Sequence, residues 1–215
     1  MLTITTYDRV PDFARGYVRD LRVRWACEEA GLPYRVDTVP ARNRTADHLA
    51  RQPFHQVPIL QDGALSIFES GAIVLHLAEG SEALMPRDPA GRAAVQQWII
   101  AALNSVEPWV FRWILPKVFD KDEDAAAQAW PLLDQRLAQL AAAIEDRPWI
   151  TGDRFSAGDI LLCDVLRPVD GLGGLAGHPA VSAYVARATE RPAFRKAHAD
   201  QIAHFAAADA AASAA

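Results

Sequence analysis

Apolar and polar positions alternate at the start of the chain and then change to helical spacing. Residues 2–6 alternate leucine and isoleucine with threonine, which predicts a β-strand. Residues 17–30 place apolar side chains three and four positions apart, and Gly31 follows where such a helix would end. Residues 34–39 alternate again and predict a second strand. The helix also carries arginines that are interpreted as its solvent-facing side: Arg19, Arg22 and Arg24.

Two apolar runs flank the dipeptide Asp62-Gly63. The runs cover residues 57–60 and 64–68, and an Asp-Gly pair between them supplies the positive φ of a tight hairpin turn. Residues 71–79 predict a helix packed on the sheet, and residues 43–51 predict a short one. The predicted order is β-α-β-α-β-β-α, with one antiparallel hairpin and a parallel pair at the start.

The second half of the chain shows no strand pattern. Residues 80–90 are rich in glycine, serine and proline, which is typical of a linker. Helical spacing then predicts five segments: 90–114, 123–146, 156–167, 179–190 and 192–206. We therefore predict an α/β domain over 1–80, a linker over 81–89 and an all-helical domain over 90–215.

Charge and cysteine content narrow the possible functions. The chain has 22 basic and 27 acidic side chains and a net charge of −5, so nucleic-acid binding is disfavoured. Its two cysteines, Cys27 and Cys163, form no CxxC pair and no ligand cluster, so neither a disulfide scaffold nor a metal site is expected. A secretory pattern and a long apolar run are both absent from the sequence. We expect a cytoplasmic protein that does not interact with membranes.

Three local motifs stand in order along the chain. They are residues 22–34, residues 53–58 followed by Glu69-Ser70, and residues 151–160. Together they resemble the cytosolic glutathione S-transferase superfamily, as a bacterial member, over nearly the whole chain. The resemblance implies a thioredoxin-like N-terminal domain, an all-helical C-terminal domain and a homodimer. It also implies glutathione as cosubstrate, no metal, and conjugation of the activated thiol to a hydrophobic electrophile.

The resemblance assigns the glutathione-binding residues. It implies a cis bond before Pro58, which lets the Val57 N–H and C=O pair with the cysteinyl backbone of glutathione. Ser70 is expected to bind the γ-glutamyl carboxylate, because a helix N-terminus offers unpaired N–H groups and positive potential. Glu69 is expected to hold the γ-glutamyl ammonium. Two further residues are implied as partners of the glycyl carboxylate: His55 and Gln56.

The residue that activates the thiol has two candidates. A free thiol with a pKa near about 8.5 is only about 3% thiolate at pH 7, and a hydroxyl that donates to the sulfur lowers that pKa. Tyr17 stands where serine- and cysteine-type members place this residue, and Tyr7 where tyrosine-type members do. Residues 8–16 form a longer loop than the family pattern, which leaves both open, and the helix register favours Tyr17. Arg19 is a third candidate, as a positive charge near the sulfur.

The helical domain carries a structural motif and a candidate pocket. Ser156 and Asp159 have the spacing of a capping box, with Phe155 and Ile160 as its hydrophobic staple. This motif is interpreted as structural and not as catalytic. The electrophile pocket is expected to be lined by aromatic and basic residues of one segment: Trp109, Arg112 and Trp113.

Two alternative functions use the same fold. One is a non-catalytic glutathione-binding or regulatory protein, and an intact glutathione site argues against it. The other is a glutathione-dependent reductase or peroxidase. A thiol-exchange enzyme of the cysteine type needs a cysteine near the start of the first helix, and residues 7–20 contain none. Cys27 is expected to pack as a small apolar side chain.

Overall fold

The computed structural model describes residues 1–42 and 45–213, so the first two residues of the predicted 43–51 helix lie outside the described residues. Four strands form one mixed sheet in the order β2-β1-β3-β4. They are β1 (Leu2–Tyr7), β2 (Tyr34–Val39), β3 (Ile59–Asp62) and β4 (Leu65–Phe68). β1 is parallel to β2 and antiparallel to β3, and β3 and β4 form the predicted hairpin.

Helices make up most of the remaining described chain. Their bounds are α1 (Asp20–Ala30), α2 (Ala46–Arg51), α3 (Ser70–Glu79), α4 (Pro89–Ala101), α5 (Glu107–Ile114), α6 (Glu123–Ile144), α7 (Ala157–Gly171), α8 (Pro179–Thr189) and α9 (Pro192–Ser213). The predicted fold class, an α/β thioredoxin-like domain and a helical domain, is confirmed. None of the described helices combines the length and the hydropathy that a membrane-spanning segment requires.

The chain divides into two compact units. One contains Met1–Leu84 together with the segment that begins at Arg191, and the other is Met85–Glu190. The sequence analysis grouped residues 90–215 as one domain, whereas α9 packs against α1 in the first unit. The ring of Trp25 on α1 meets the ring of Phe194 on α9 edge to face, with centroids 4.9 Å apart.

Helix α1 is buried on more sides than its sequence indicates. Every residue from Asp20 to Cys27 is buried, because α3 and β1 pack against this helix and α9 covers it as well. The interpretation of its arginines as a solvent-facing side is therefore wrong for Arg22 and Arg24, which are 3% and 2% exposed. Arg19 precedes the helix and is half-buried.

The helical unit departs from regular α-helix in its first long segment. The sequence predicts one helix over 90–114, but a π-helical stretch, Ala102–Val106, separates α4 from α5, and a second, Leu115–Asp120, follows α5. Pro108 and Pro116 lie at the starts of α5 and of the second stretch. Since proline has no N–H for the regular i to i−4 bond, each of these prolines removes one such bond where the helix departs from regular α geometry.

The capping box at the start of α7 is confirmed. The Asp159 carboxylate accepts hydrogen bonds from the amides of Ser156 and Ile150, at 2.8 Å each, and from the Ser156 hydroxyl at 2.8 Å. The Tyr184 hydroxyl donates a fourth, at 2.5 Å. Burial raises the pKa of the Asp159 carboxyl, and these donors act against that rise. One carboxylate thus ties α7 to the preceding turn and to α8.

Replacing Asp159 with alanine should lower the free energy of unfolding by about 3–5 kcal/mol, because several buried donors lose their acceptor together. Asp153 lies in the same turn and is exposed, so Asp153→Ala is the matched control and should change stability by less than about 0.5 kcal/mol. Urea unfolding monitored by tryptophan fluorescence compares the two. Equal losses would show that the carboxylate network is not what secures this helix start.

Candidate functional site

The predicted glutathione-binding residues converge at one end of the β3–β4 hairpin. Ile59 pairs with Phe68 in the hairpin register. The dipeptide Val57-Pro58 directly precedes Ile59, and Glu69-Ser70 directly follows Phe68. Antiparallel pairing therefore places these two dipeptides side by side at the same edge of the sheet. The structure thus brings together residues that are separated by about a dozen positions in the sequence.

The peptide bond between Val57 and Pro58 is cis, which confirms that part of the prediction. Both residues are buried, and β3 begins only at Ile59. Among the described residues, none forms a hydrogen bond with the Val57 backbone. Because buried backbone N–H and C=O groups are nearly always paired in folded proteins, Val57 is available to pair with a ligand backbone.

Glu69 initiates α3 from an uncommon backbone conformation. Its φ is 69° and its ψ is 116°, and its carbonyl accepts the first turn's hydrogen bond from the Ile73 amide at 2.9 Å. His55, which precedes β3 in the sequence, also has a positive φ, 61°. Such values strain residues other than glycine, and strained residues cluster at ligand sites. Both strained residues were predicted to bind glutathione.

Ser70 is the first residue of α3 and is 4% exposed. Its hydroxyl oxygen accepts a hydrogen bond from Nη1 of Arg22 on α1, at 3.2 Å. The guanidinium thus adds positive charge to that of the α3 N-terminus, where an anion is favoured. Because Arg22 donates to the oxygen, the Ser70 hydroxyl keeps its own proton for another acceptor.

The sequence analysis missed Arg22 as a site residue, although a signal was present. Arg22 lies three positions before Trp25 and four before Ala26, so it shares their helix face. A charged residue on an apolar face requires a buried partner, and Ser70 is that partner.

His55 and Gln56 are exposed at the approach to the Val57-Pro58 bond. The His55 amide donates to the Gln52 carbonyl at 3.1 Å, which closes the turn that ends α2. Both side chains therefore remain accessible next to the hairpin edge.

The two tyrosine candidates lie at opposite ends of the segment between β1 and α1. Tyr7 ends β1 opposite Val39 and is half-buried. Tyr17 is 45% exposed, and its amide donates to the Ala14 carbonyl at 3.0 Å. Because α1 begins at Asp20 and not at residue 17, Tyr17 precedes the helix instead of starting it. The choice between the two tyrosines stays a prediction.

The residues predicted to line an electrophile pocket differ in their surroundings. Trp113 is buried within the helical unit, 5.3 Å from the ring of Trp130, with the Lys117 ammonium 5.7 Å from its ring centroid. Trp109 is half-buried and Arg112 is exposed, and the spacing of the three places them on one side of α5. Trp113 thus has a core role in this unit. Within residues 1–42 and 45–213, no group of three or more His, Cys, Asp or Glu side chains is arranged to hold a metal ion.

Comparisons with known proteins agree with this architecture. A family model described as glutathione S-transferase, N-terminal domain, matches residues 13–79, and one described as the C-terminal domain matches residues 85–192. Glutathione S-transferase GstB of Escherichia coli is 31% identical over 188 residues, which cover 81% of this chain and 90% of that protein.

Another relative is named as an oxidoreductase and not as a transferase. The disulfide-bond oxidoreductase YfcG of Escherichia coli is 29% identical over 187 residues, covering 77% of this chain and 83% of that protein.

Among solved structures, a glutathione transferase from Burkholderia graminis with two glutathione molecules bound per subunit shares the fold. Its TM-score is 0.79 and its identity 24%, over 92% of this chain and 87% of its own. The two family models together span most of the sequence, and the chain belongs to the glutathione S-transferase family.

Proposed function

We propose that this protein binds glutathione at the β3–β4 edge, activates its thiol and conjugates it to a hydrophobic electrophile. The observation that carries the proposal is the juxtaposition, by the hairpin register, of Val57-Pro58 with the α3 N-terminus at Ser70. The Val57 backbone, which has no partner among residues 1–42 and 45–213, and the positive helix start at Ser70 are the groups that a peptide with a free carboxylate requires.

The tripeptide binds through complementary charges at its two ends. The γ-glutamyl carboxylate accepts from the Ser70 hydroxyl and the α3 amides, with the buried Arg22 guanidinium behind them. The exposed Glu69 carboxylate pairs with the γ-glutamyl ammonium. The Val57 backbone holds the cysteinyl residue, and the glycyl carboxylate is bound by the exposed pair His55 and Gln56.

Ser70→Ala should weaken glutathione binding about tenfold or more, because it removes a hydrogen bond to a charged carboxylate from a buried position. Ser66 lies on β4 and is exposed, so Ser66→Ala provides the matched control and should keep the wild-type Kd. Isothermal titration calorimetry with reduced glutathione measures both. A wild-type Kd for Ser70→Ala would exclude the proposed carboxylate site.

Thiol activation is assigned to Tyr17, with Tyr7 as the second candidate. If the bound thiol has a pKa about two units below that of free glutathione, about three quarters of it is thiolate at pH 7. A hydroxyl that donates to the sulfur favours the charged form and produces a shift in that direction. Tyr17 is favoured because it lies three residues before the start of α1 at Asp20, and the N-terminus of that helix adds positive potential.

Tyr17→Phe should raise the pKa of bound glutathione toward its free value, near about 8.5, because the sulfur loses its donor. Tyr7→Phe should leave that pKa unchanged. The thiolate is followed by its ultraviolet absorbance during a pH titration with excess protein. The reverse pattern would assign activation to Tyr7, and no shift in either variant would exclude a tyrosine hydroxyl.

A reductase that uses a protein cysteine is disfavoured, although one relative is named a disulfide-bond oxidoreductase. Cys27 is fully buried on α1, and burial raises the pKa of its thiol to about 12. Cys163 is fully buried on α7, and burial raises its thiol pKa well above the usual value. Neither thiol supplies a thiolate nucleophile near neutral pH. A glutathione-dependent reductase or peroxidase on this chain would have to use the bound glutathione thiolate itself.

In the folded protein at pH 8, neither cysteine should react with Ellman's reagent over an hour, since about one part in ten thousand of a thiol with a pKa near 12 is ionised. In concentrated urea both should react, giving two thiols per chain. A rapidly reacting thiol in the native protein would favour the cysteine-type reductase instead.

Three further expectations complete the proposal. The electrophile binds against Trp109 and Arg112 of the helical unit, with Trp113 supporting them from the core. The protein works as a homodimer in the cytoplasm, as the family resemblance implies. It takes small molecules as substrates and uses no resident metal or organic cofactor.

A further inference from the structure

The segment that carries the candidate activating residue is held mainly by tertiary contacts. Residues 8–19, which we call the β1–α1 loop, connect the end of β1 to the start of α1. A single 3-10 turn, Asp12–Ala14, is their regular structure. A loop of this length loses considerable conformational freedom when it is fixed in one conformation, so its position depends on what packs against it.

One side of α9 faces this loop over about three turns. The residues of α9 that contact this loop, or Tyr7 directly before it, recur at roughly helical spacing: His198, Gln201, His204 and Asp209. The loop and α9 belong to the same compact unit.

His198 lies directly over Gly16. A Cβ atom added to Gly16 would come 2.5 Å from Nε2 of His198, so no larger residue fits without moving the ring. Gly16 has a φ of +79°, which is itself suited to glycine. The His198 ring stacks on Phe194, with centroids 5.4 Å apart and planes 22° apart. The position of the ring is therefore set by the core side of α9.

Gln201 holds the other side of Tyr17. Its side chain is fully buried, and Nε2 donates to the Val18 carbonyl at 3.0 Å and to Oδ1 of Asp20 at 2.7 Å. The other carboxylate oxygen of Asp20 accepts from Nε of Arg24 at 2.7 Å. One amide group thus joins the end of the loop to the first residue of α1.

Two more residues of α9 hold the start of the loop. Nε2 of His204 lies 3.1 Å from the carbonyl oxygen of Tyr7, and since a carbonyl only accepts, that nitrogen carries the proton. The Asp209 carboxylate pairs with Nε of Arg9 at 3.1 Å and with Nη2 of Arg15. Contacts from α9 therefore reach both ends of the loop, the carbonyl of Tyr7 and the residues on either side of Tyr17.

We propose that α9 clamps the β1–α1 loop and that Gln201, assisted by His198, is a positioning residue for thiol activation by Tyr17. The inference rests on the proposed function, because it concerns the same thiol. The residues on either side of Tyr17, Gly16 and Val18, are each held by α9. The position of the Tyr17 backbone, and with it the region that its side chain can reach, is therefore set in part by α9.

A positioning role has a distinct kinetic signature. The glutathione-binding residues of the proposal lie on the hairpin edge and on α3, not on the β1–α1 loop. Loosening the clamp should therefore leave glutathione affinity nearly unchanged while it weakens thiol activation. A hydroxyl affects a thiol pKa only at hydrogen-bond distance, so small displacements of the loop are sufficient.

The test uses the full-length protein and the variant Gln201→Met, which keeps the length of the side chain and removes its amide. Hydrogen exchange of residues 8–19 should accelerate about tenfold, because the loop opens more often. The pKa of bound glutathione should rise by about one unit, which corresponds to about tenfold less thiolate below the pKa. At a pH of about 6.5, close to the expected wild-type pKa of the bound thiol, the thiolate fraction falls from about one half to about one tenth. The kcat for 1-chloro-2,4-dinitrobenzene at that pH should therefore fall about fivefold, and the Kd for glutathione should stay within about twofold.

Two variants outside the clamp serve as controls. Lys196→Met, on α9, removes an ion pair to Glu28 on α1 that involves no residue of the loop. Leu77→Ala, on α3, removes buried apolar packing in the same compact unit and so lowers stability. Both should keep the loop exchange and the thiol pKa close to wild type. His198→Ala removes the ring over Gly16 and should shift both readouts in the same direction as Gln201→Met, which keeps the test available if Gln201→Met does not fold.

The possible outcomes distinguish a failure of the clamp from a failure of the proposed thiol activation. Unchanged exchange of residues 8–19 in Gln201→Met and His198→Ala would overturn the clamp, whatever the activity. Faster exchange with an unchanged thiol pKa would overturn the positioning role. If the wild-type protein binds glutathione without lowering its thiol pKa, the proposed activation fails, while faster loop exchange in the variants would still establish the clamp. A response of Leu77→Ala equal to that of Gln201→Met would attribute the effect to general destabilisation and overturn the proposal.

Discussion

The burial of α1 is the constraint on which the rest of the first unit depends. This helix is covered by the sheet, by α3 and by α9, so every charged side chain in its first half needs a partner inside the protein. Arg24 pairs with Asp20, and Arg22 donates to Ser70 at the start of α3. The bond from Arg22 joins α1 to α3, and the bond from Gln201 to Asp20 joins α1 to α9. Directional contacts therefore fix the helix against these neighbours in addition to apolar packing. The candidate site is assembled from the ends of those neighbours.

The site combines contributions that serve different purposes. The hairpin register sets the distance between the Val57 backbone and the α3 N-terminus. Positive φ values at His55 and Glu69 are local strain at positions proposed to meet the ligand, and the surrounding sheet and helix maintain them. Arg22 supplies charge from a third element, α1. Because each contribution comes from a rigid element, the groups are preorganised for a ligand with fixed positions of charge.

The helical unit has a buried polar centre of its own, the Asp159 carboxylate. The Asp159 carboxylate gathers donors from the turn before α7, from the helix start and from Tyr184 on α8. On α5, the residues proposed to line an electrophile pocket divide into a core residue, Trp113, and two more accessible ones, Trp109 and Arg112.

The strands, the hairpin turn, the capping box and most helix positions followed from the sequence, because each depends on local periodicity or on residues a few positions apart. The cis bond before Pro58 and the family were predicted from a resemblance that rests on three motifs in order along the chain. The burial of Arg22 and Arg24 and the packing of α9 on α1 could not be read from the sequence in this way. Nothing local distinguishes an arginine that faces water from one that faces a helix arriving about 170 residues later in the chain. The sequence by itself determined which elements form and what ligand chemistry they offer, since those are short-range properties. Only the tertiary structure decided which helix covers α1 and which side chains therefore hold the β1–α1 loop, because long-range packing determines burial.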